Sequence, residues 1–363
     1  MLSISHFYEL LYDLAISVRM ILRGDSMRYP KFLRERDMIG LVAPSFGACG
    51  VPYGLRQERA EEYFRELGYS FKKVPHVHVI ENGESAPADV RAKEFMEMWM
   101  DQDVDFICSV AGGEKELQVL PYLDIEKLSS TPKCFMGYSD NTTICYALTV
   151  LCDIASIYGI HLMDFGVDKW DDCLQYSYEF MLGKKMRHES FPMVQWNDLK
   201  HEYPYSPYNL EFENEWKNLH GEERVELSGR IMGGCLDVLV GICGTRFDKT
   251  VEFVERYKDD GIIWYLEACD LNPFGAMRAL WQLREAGWFK YAKGFIIGRP
   301  NNPSDVMEYS HVKAVEEILG VLDVPVIMDF DVGHVAPTVP ILNGSMAHVV
   351  NGNGESYIEF KEI

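Results

Sequence analysis

Positive charge is what this chain is shortest of: 35 lysines and arginines stand against 56 aspartates and glutamates, a formal net charge of -21 over 363 residues. No basic patch gathers them. A nucleic-acid backbone or an anionic membrane surface would meet no counter-charge, so neither is expected as a partner. Long apolar runs are also missing. Leu10 to Val18 is interrupted by Asp13, and Arg19 and Arg23 follow it instead of preceding it, so it reads neither as a spanning helix nor as a secretory leader. There is no His-Glu-x-x-His and no Cys-x-x-Cys, and no metal or cofactor is expected. His76 and His78 alternate with valine and read as one face of a strand. The nine cysteines are odd in number and lack framework spacing, which points to buried free thiols in a reducing compartment, the cytoplasm. No internal repeat or low-complexity tract occurs.

What is present describes a globular protein: 47% hydrophobic residues and enough length for two domains with cores of their own. Apolar strand patterns alternate with helical ones. Ile39 to Ala43, Ser70 to Val79 and Asp105 to Ala111 read as strands, with helices over Leu55 to Leu67 and Ala88 to Trp99 between them. Such alternation predicts a doubly wound parallel sheet whose ligands collect at the carboxyl ends of the strands. The second half is less regular, with one clear helix over Gly275 to Ala286.

Three separated segments carry the chemistry. Lys133 to Met136 reads as a buried strand and Asn141 to Leu148 begins a helical pattern, which puts Ser139 of Gly137-Tyr138-Ser139-Asp140-Asn141 on the turn between them. That is the place of a nucleophile elbow, although Asn141 departs from the G-x-S-x-G pattern. Taken alone, Ser139, Asp140 or Asn141 more often means a helix cap. Gly112-Gly113 follows the strand candidate at Asp105. Its freedom from a side chain lets the Gly113 N–H join that of Asp140 as an oxyanion donor, or serve an ordinary turn or a weak phosphate site. Glu267 ends the apolar run Gly261 to Leu266, and His334 follows the run Val324 to Phe330 in a loop flanked by Gly333 and Pro337. Singly, each has a plainer reading, an arginine-paired glutamate and a surface histidine. Together a serine, a carboxylate and a histidine make a set for nucleophilic catalysis.

These segments resemble the LD-carboxypeptidase family of serine peptidases, which includes murein tetrapeptide carboxypeptidases and microcin C immunity proteins. The resemblance rests on Ile39 to Ser45, Ala111 to Gly113, Gly137 to Thr142, Gly229 to Gly234, Leu266-Glu267, Gly298 to Pro300 and Gly333-His334, in family order from about Met27 onward. It implies Ser139 as nucleophile, Glu267 as the triad carboxylate and His334 as general base. It also implies the amides of Gly113 and Asp140 as oxyanion hole, and hydrolysis of an amide to a C-terminal D-residue through an acyl-enzyme without metal or cofactor. The implied fold is a Rossmann- or flavodoxin-like N-terminal domain with a smaller, swivelling, barrel-like C-terminal one, and the implied assembly is a homodimer.

The expected division is an extension over 1–26, an N-terminal α/β domain over 27–170, a connection over 171–225 and a C-terminal domain over 226–363. The extension reads as preceding a natural start at Met27 or as an amphipathic helix. The interval of 128 positions from Ser139 to Glu267 is nearer the immunity branch, and the extra length falls between about Lys184 and Glu223. There Trp196, Tyr203, Tyr205, Tyr208 and Trp216 form an aromatic stretch broken by Pro204 and Pro207, either a lid over a flat group or a packed connection. The alternatives are an amidase acting on aminoacyl or peptidyl nucleotides, and a protein that binds a small ligand without turning it over.

Overall fold

The computed structural model describes residues 26–361; the expectations for the N-terminal extension fall almost wholly outside them. The first sheet is built from β1 (Met38–Val42), β2 (Ser70–Lys73), β3 (Phe106–Ser109), β4 (Cys134–Gly137) and β5 (Ser156–Tyr158), all parallel. Helices Tyr53–Glu66 and Ala88–Met100 connect the first three strands. In the second of these, Ala92, Phe95, Met98 and Trp99 recur at helical spacing and are buried, and the Trp99 indole donates to Leu128 O at 3.1 Å. Strands β1, β3 and β4 are almost wholly apolar because both faces of a parallel sheet are covered, whereas the edge strand β2, Ser-Phe-Lys-Lys, is largely exposed.

Strand β2 is shorter than its sequence predicts. It stops at Lys73, and Val74 to Val79 forms turns instead of a strand, because Pro75 has no N–H to continue a ladder. Val77 O and Val79 O accept from the amides of Ala48 and Gly47. His76 and His78 therefore share no strand face: His76 Nδ1 meets Glu94 at 2.6 Å and His78 Nδ1 meets Ala48 O at 3.0 Å.

Further along come β6 (Arg187–Glu189), the pair β7 (Met193–Val194) and β8 (Phe212–Glu213), then β9 (Lys217–Asn218), β10 (Arg224–Cys235), β11 (Ile262–Glu267), β12 (Ala292–Gly298), β13 (Val326–Phe330), β14 (Ile341–Asn343), β15 (Met346–Gly352) and β16 (Glu355–Phe360). The second sheet has the order β6-β16-β15-β10-β11-β12-β13-β9. Its centre, β10 to β13, is parallel and its flanks are antiparallel. The sheet curls until β9 returns to β15. Asn351 Nδ2 donates to Trp216 O at 3.1 Å and to Asn218 Oδ1 at 2.8 Å, and Asn218 Nδ2 donates to Asn351 O at 3.3 Å. Side-chain amides thus bridge the gap that ladder bonds leave open. The fold is mixed α/β, a parallel sheet followed by a second, mixed one.

The two sheets share chain. β14 returns from the C-terminal part to pair antiparallel with β5, whereas β6 and β9, from the stretch expected to be a connection, edge the second sheet. Thr142 Oγ1 accepts from Cys235 N at 3.0 Å, joining the turn after β4 to the end of β10. Helix Pro273–Glu285, near its expected span, is capped by the Asn272 side chain on Gly275 N at 2.9 Å. Of the nine free cysteines seven are buried, Cys269 is half-buried and Cys49 is exposed. Among the described residues no helix is long and apolar enough to cross a membrane.

Replacing Asn351 with Ala removes both of its amide donations across the gap and leaves the buried Trp216 carbonyl and the half-buried Asn218 amide oxygen without that partner. The expected loss is about 1–3 kcal/mol of stability, read as a lower urea midpoint at unchanged slope. An unchanged midpoint would mean that the bridge contributes nothing to closure.

Candidate active site

Strand β4 ends at Gly137, and two residues on Ser139 holds a φ of 63°, left-handed and costly for a residue with a Cβ. Its N–H donates to the Tyr158 hydroxyl at 3.1 Å, and its Oγ lies 2.8 Å from His334 Nε2. Ser139 therefore caps no helix. Neither do its neighbours, whose side chains turn inward. Asp140 accepts from the Ser45 hydroxyl and from Glu116 N at 2.9 Å. Asn141 donates through Nδ2 to the Glu116 carboxyl and accepts through Oδ1 from His161 Nε2 at 3.1 Å. Burial, then the neighbouring Asp140 charge, push the Glu116 carboxyl well above the usual range. The helix expected from Asn141 begins as a 3-10 turn over Ser139–Asn141, becomes α over Thr142–Tyr146 and relaxes to a π turn over Ala147–Leu151.

Glu267 ends β11 in register with Cys235 of β10 and is 1% exposed. One carboxylate oxygen accepts from Tyr158 at 2.5 Å and the other meets His334 Nδ1 at 2.8 Å. Burial works to raise its pKa. The charge of His334 and hydrogen bonds from His334, Tyr158 and Cys235 outweigh that and hold it below the usual glutamate value. Burial alone would likewise strip the proton from His334, but the Glu267 carboxylate, with Cys269 beside it, raises the imidazole well above its ordinary value. Gly333 explains how the loop comes so near: at φ 112°, a Cβ there would stand 2.8 Å from Glu267 Oε2.

The serine opens on a cavity of about 310 Å³ lined by Phe46, Tyr53, Gly112, Gly113, Tyr138 and His161 together with the charged Arg56, Asp164 and Lys200. A Cβ on Gly112 would lie 3.1 Å from Ser139 Oγ, so the glycine pair packs directly against the serine. The Gly113 N–H finds no acceptor among the described residues. None of the five aromatics singled out in the 184–223 stretch lines this cavity. Trp216 is buried, stacked on Phe330 with ring centroids 4.0 Å apart; Tyr205 lies under Arg59, Tyr203 donates to Asp168 at 2.7 Å, and Trp196 is exposed. The same stretch instead brings in Lys200, whose Nζ pairs with Asp198 at 2.9 Å. Among the described residues no three His, Cys, Asp or Glu are grouped to hold a metal ion.

The sequence matches two family descriptions, LD-carboxypeptidase N-terminal domain over residues 39–159 and LD-carboxypeptidase C-terminal domain over residues 228–349. The chain belongs to the LD-carboxypeptidase family. Relatives within and around this family include a Bacillus subtilis protein provisionally named a carboxypeptidase, 26% identical over 343 residues, 91% of this chain and 99% of that one. The microcin C7 self-immunity protein MccF of Escherichia coli is 25% identical over 328 residues, 84% of this chain and 88% of that one. In fold, an MccF-like protein from Bacillus anthracis matches with a TM-score of 0.78 at 21% identity, covering 93% of this chain and all of the other. MccF in complex with glutamyl sulfamoyl guanosine matches at 0.77 and 20% identity over 92% of this chain and 98% of that one.

Of the five residues singled out in the sequence, Gly113, Ser139 and His334 line the cavity, Glu267 lies behind His334, and the Asp140 side chain turns inward beneath the serine. Tyr158, His161, Lys200 and Ser45 were not anticipated. Tyr158 and His161 sit in an apolar stretch, Ser156 to Ile160 and its end, where nothing local distinguishes a functional hydroxyl or imidazole from core packing.

Tyr158 both accepts from the elbow and donates to Glu267, so Tyr158→Phe is expected to slow labelling of Ser139 by a fluorophosphonate about 10- to 100-fold. Labelling at the wild-type rate would remove it from the machinery. Because His334 must be neutral to accept a proton, labelling should rise with pH through its raised pKa. Glu267→Gln removes the charge that raises it, so the midpoint should move to lower pH while the plateau falls by on the order of 10⁴-fold. A midpoint that stays put or moves up would contradict this coupling.

Proposed function

We propose that this protein is a serine carboxypeptidase that hydrolyses the amide bond to a C-terminal D-amino acid in murein-type peptides. The reading is carried by the continuous chain from Ser139 Oγ through His334 to Glu267, two contacts of 2.8 Å. Ser139 Oγ attacks the scissile carbonyl carbon while His334 Nε2 takes its proton. The negative oxygen lies against the N–H groups of Gly113 and Asp140. His334 then returns the proton to the departing amine nitrogen, and the C–N bond breaks to leave an acyl ester on Ser139. Water enters by the same route, and the products are a free acid and a free amine.

A carboxypeptidase needs a counter-charge for the terminal carboxylate of its substrate, and Lys200 and Arg56 supply it in an otherwise acidic protein. Arg56 is held by Pro204 O and Ser206 O and Lys200 by the Asp198 carboxylate, so a substrate carboxylate would share the Lys200 ammonium with Asp198. The second reading, an amidase for aminoacyl or peptidyl nucleotides, is favoured by the likeness to MccF structures holding aminoacyl sulfamoyl nucleosides. In that case the same cation would face a phosphate-like group. Free thiols fit a cytoplasmic place of action, and a homodimer is the proposed assembly.

The deciding experiment offers murein tetrapeptide and an aminoacyl sulfamoyl adenylate in parallel to wild-type and Ser139→Ala protein. D-alanine release that vanishes with the substitution is expected; cleavage of the adenylate alone would favour the second reading, and turnover of neither would leave a binding protein. Lys200→Met is expected to raise KM for the peptide about tenfold or more with little change in kcat, as loss of one charge-assisted contact made equally in ground and transition states. An unchanged KM would remove Lys200 from recognition.

A further inference from the structure

The loop between β13 and β14 carries His334 and has no regular structure to hold it. Internally it is tied by Gly333 N donating to Thr338 Oγ1 at 3.0 Å and Val339 N to Asp331 O at 2.8 Å. A buried guanidinium does the rest. Arg299, just past the end of β12 and 2% exposed, donates through Nη2 to Val335 O at 3.0 Å and Pro337 O at 2.6 Å, on the far side of His334. Through Nη1 it donates to Asp331 Oδ1 at 2.6 Å and Asp329 O at 3.1 Å, on the near side. Both limbs of the loop are therefore fastened to one rigid plane.

Asp331 is fastened in turn. Its Oδ2 accepts from Phe191 N at 2.9 Å and the Trp216 indole at 3.2 Å, and lies 3.3 Å from His188 Nε2. An arginine is suited to this place because its donors diverge from a planar group in fixed directions; a lysine ammonium is one point on a flexible stem and cannot span the two limbs.

We propose that Arg299 is a positioning residue for the reaction: it holds the His334 loop so that the imidazole stands between Glu267 and Ser139. The proposal rests on the serine-hydrolase reading above. Arg299 touches neither Ser139 nor the cavity, so its effect runs entirely through the placement of His334. Displacing that ring by a fraction of its 2.8 Å contacts weakens both ends of the proton relay at once.

The test compares wild type, Arg299→Lys and Asp331→Asn, with folding checked by thermal unfolding, kcat and KM measured on the substrate that wild type turns over, and fluorophosphonate labelling of Ser139 followed against pH. For folded Arg299→Lys, kcat should fall by on the order of 10²-fold with KM nearly unchanged. The acid limb should also move to lower pH, because an imidazole drawn away from Glu267 loses the charge that raises its proton affinity. The other groups facing His334, namely Cys269, His161, Glu114 and the Tyr138 ring, remain as they were. Asp331→Asn should shift the limb the same way by less, and it decides the matter if Arg299→Lys fails to fold. A merely structural role would lower the amount of active protein and leave the limb in place, and that result overturns the proposal. Should wild type itself be inert, or Ser139→Ala label like wild type, the hydrolase reading fails and takes this proposal with it. An active, Ser139-dependent wild type with an unaltered limb in the variants overturns the positioning role alone.

Discussion

A carboxylate withdrawn from water at the end of a central strand takes up a proton unless donors surround it. Glu267 is in that position, and the groups that keep it ionised come from three places in the fold. Tyr158 reaches it from the first sheet, Cys235 from the neighbouring strand β10, and His334 from the loop after β13. Satisfying this one buried charge draws the two sheets together at the point where the serine turn lies. The same hydroxyl that donates to Glu267 accepts the Ser139 N–H, so the left-handed turn and the carboxylate are set by a common partner.

The turn has its own support, built from polar groups that would be expensive if left unpaired. Asp140, Asn141, Glu116 and Ser45 bond to one another and to backbone amides beneath the serine, none of them more than 3% exposed. This accounts for an asparagine where a glycine stands in the familiar elbow pattern. Position 141 serves as a two-ended connector, donating to Glu116 and accepting from His161, and a glycine could do neither. His161, buried beside Tyr138, is held neutral: burial first, and the nearby His334 second, bring its pKa to about 3.

The aromatic stretch between Lys184 and Glu223 shows how composition and placement part company. Its rings are numerous enough to invite a stacking role, yet Trp216 serves the core, its indole donating to the Asp331 carboxylate, while the charged Lys200 is what enters the cavity. Which side of a loop faces a pocket depends on the path of the chain over its neighbours, and no periodicity in a loop records that path. The turn at Val74 to Val79 illustrates the same limit in the opposite sense. Alternating valine and histidine resemble a strand, but the proline among them has no N–H for a ladder and the Gly47 and Ala48 amides beside them take the backbone carbonyls.

By itself the sequence determined the order of strands and helices in the first half, because apolar periodicity and buried parallel strands are local signals. It also offered Ser139, Glu267 and His334 with Gly113 and Asp140 as candidates, because a turn after a strand, a carboxylate ending an apolar run and a glycine-flanked histidine are each visible within a few residues; singly each has a plainer reading, and it is the resemblance of the ordered set to the family that joins them. Tertiary structure alone decided that these segments, 128 and 67 positions apart, lie within hydrogen-bonding distance. It alone supplied Tyr158 between them, Arg299 behind them and Lys200 in front. The reason is physical: a hydrogen bond across more than a hundred residues depends on where two sheets pack, and packing is a property of the whole core and of no segment within it.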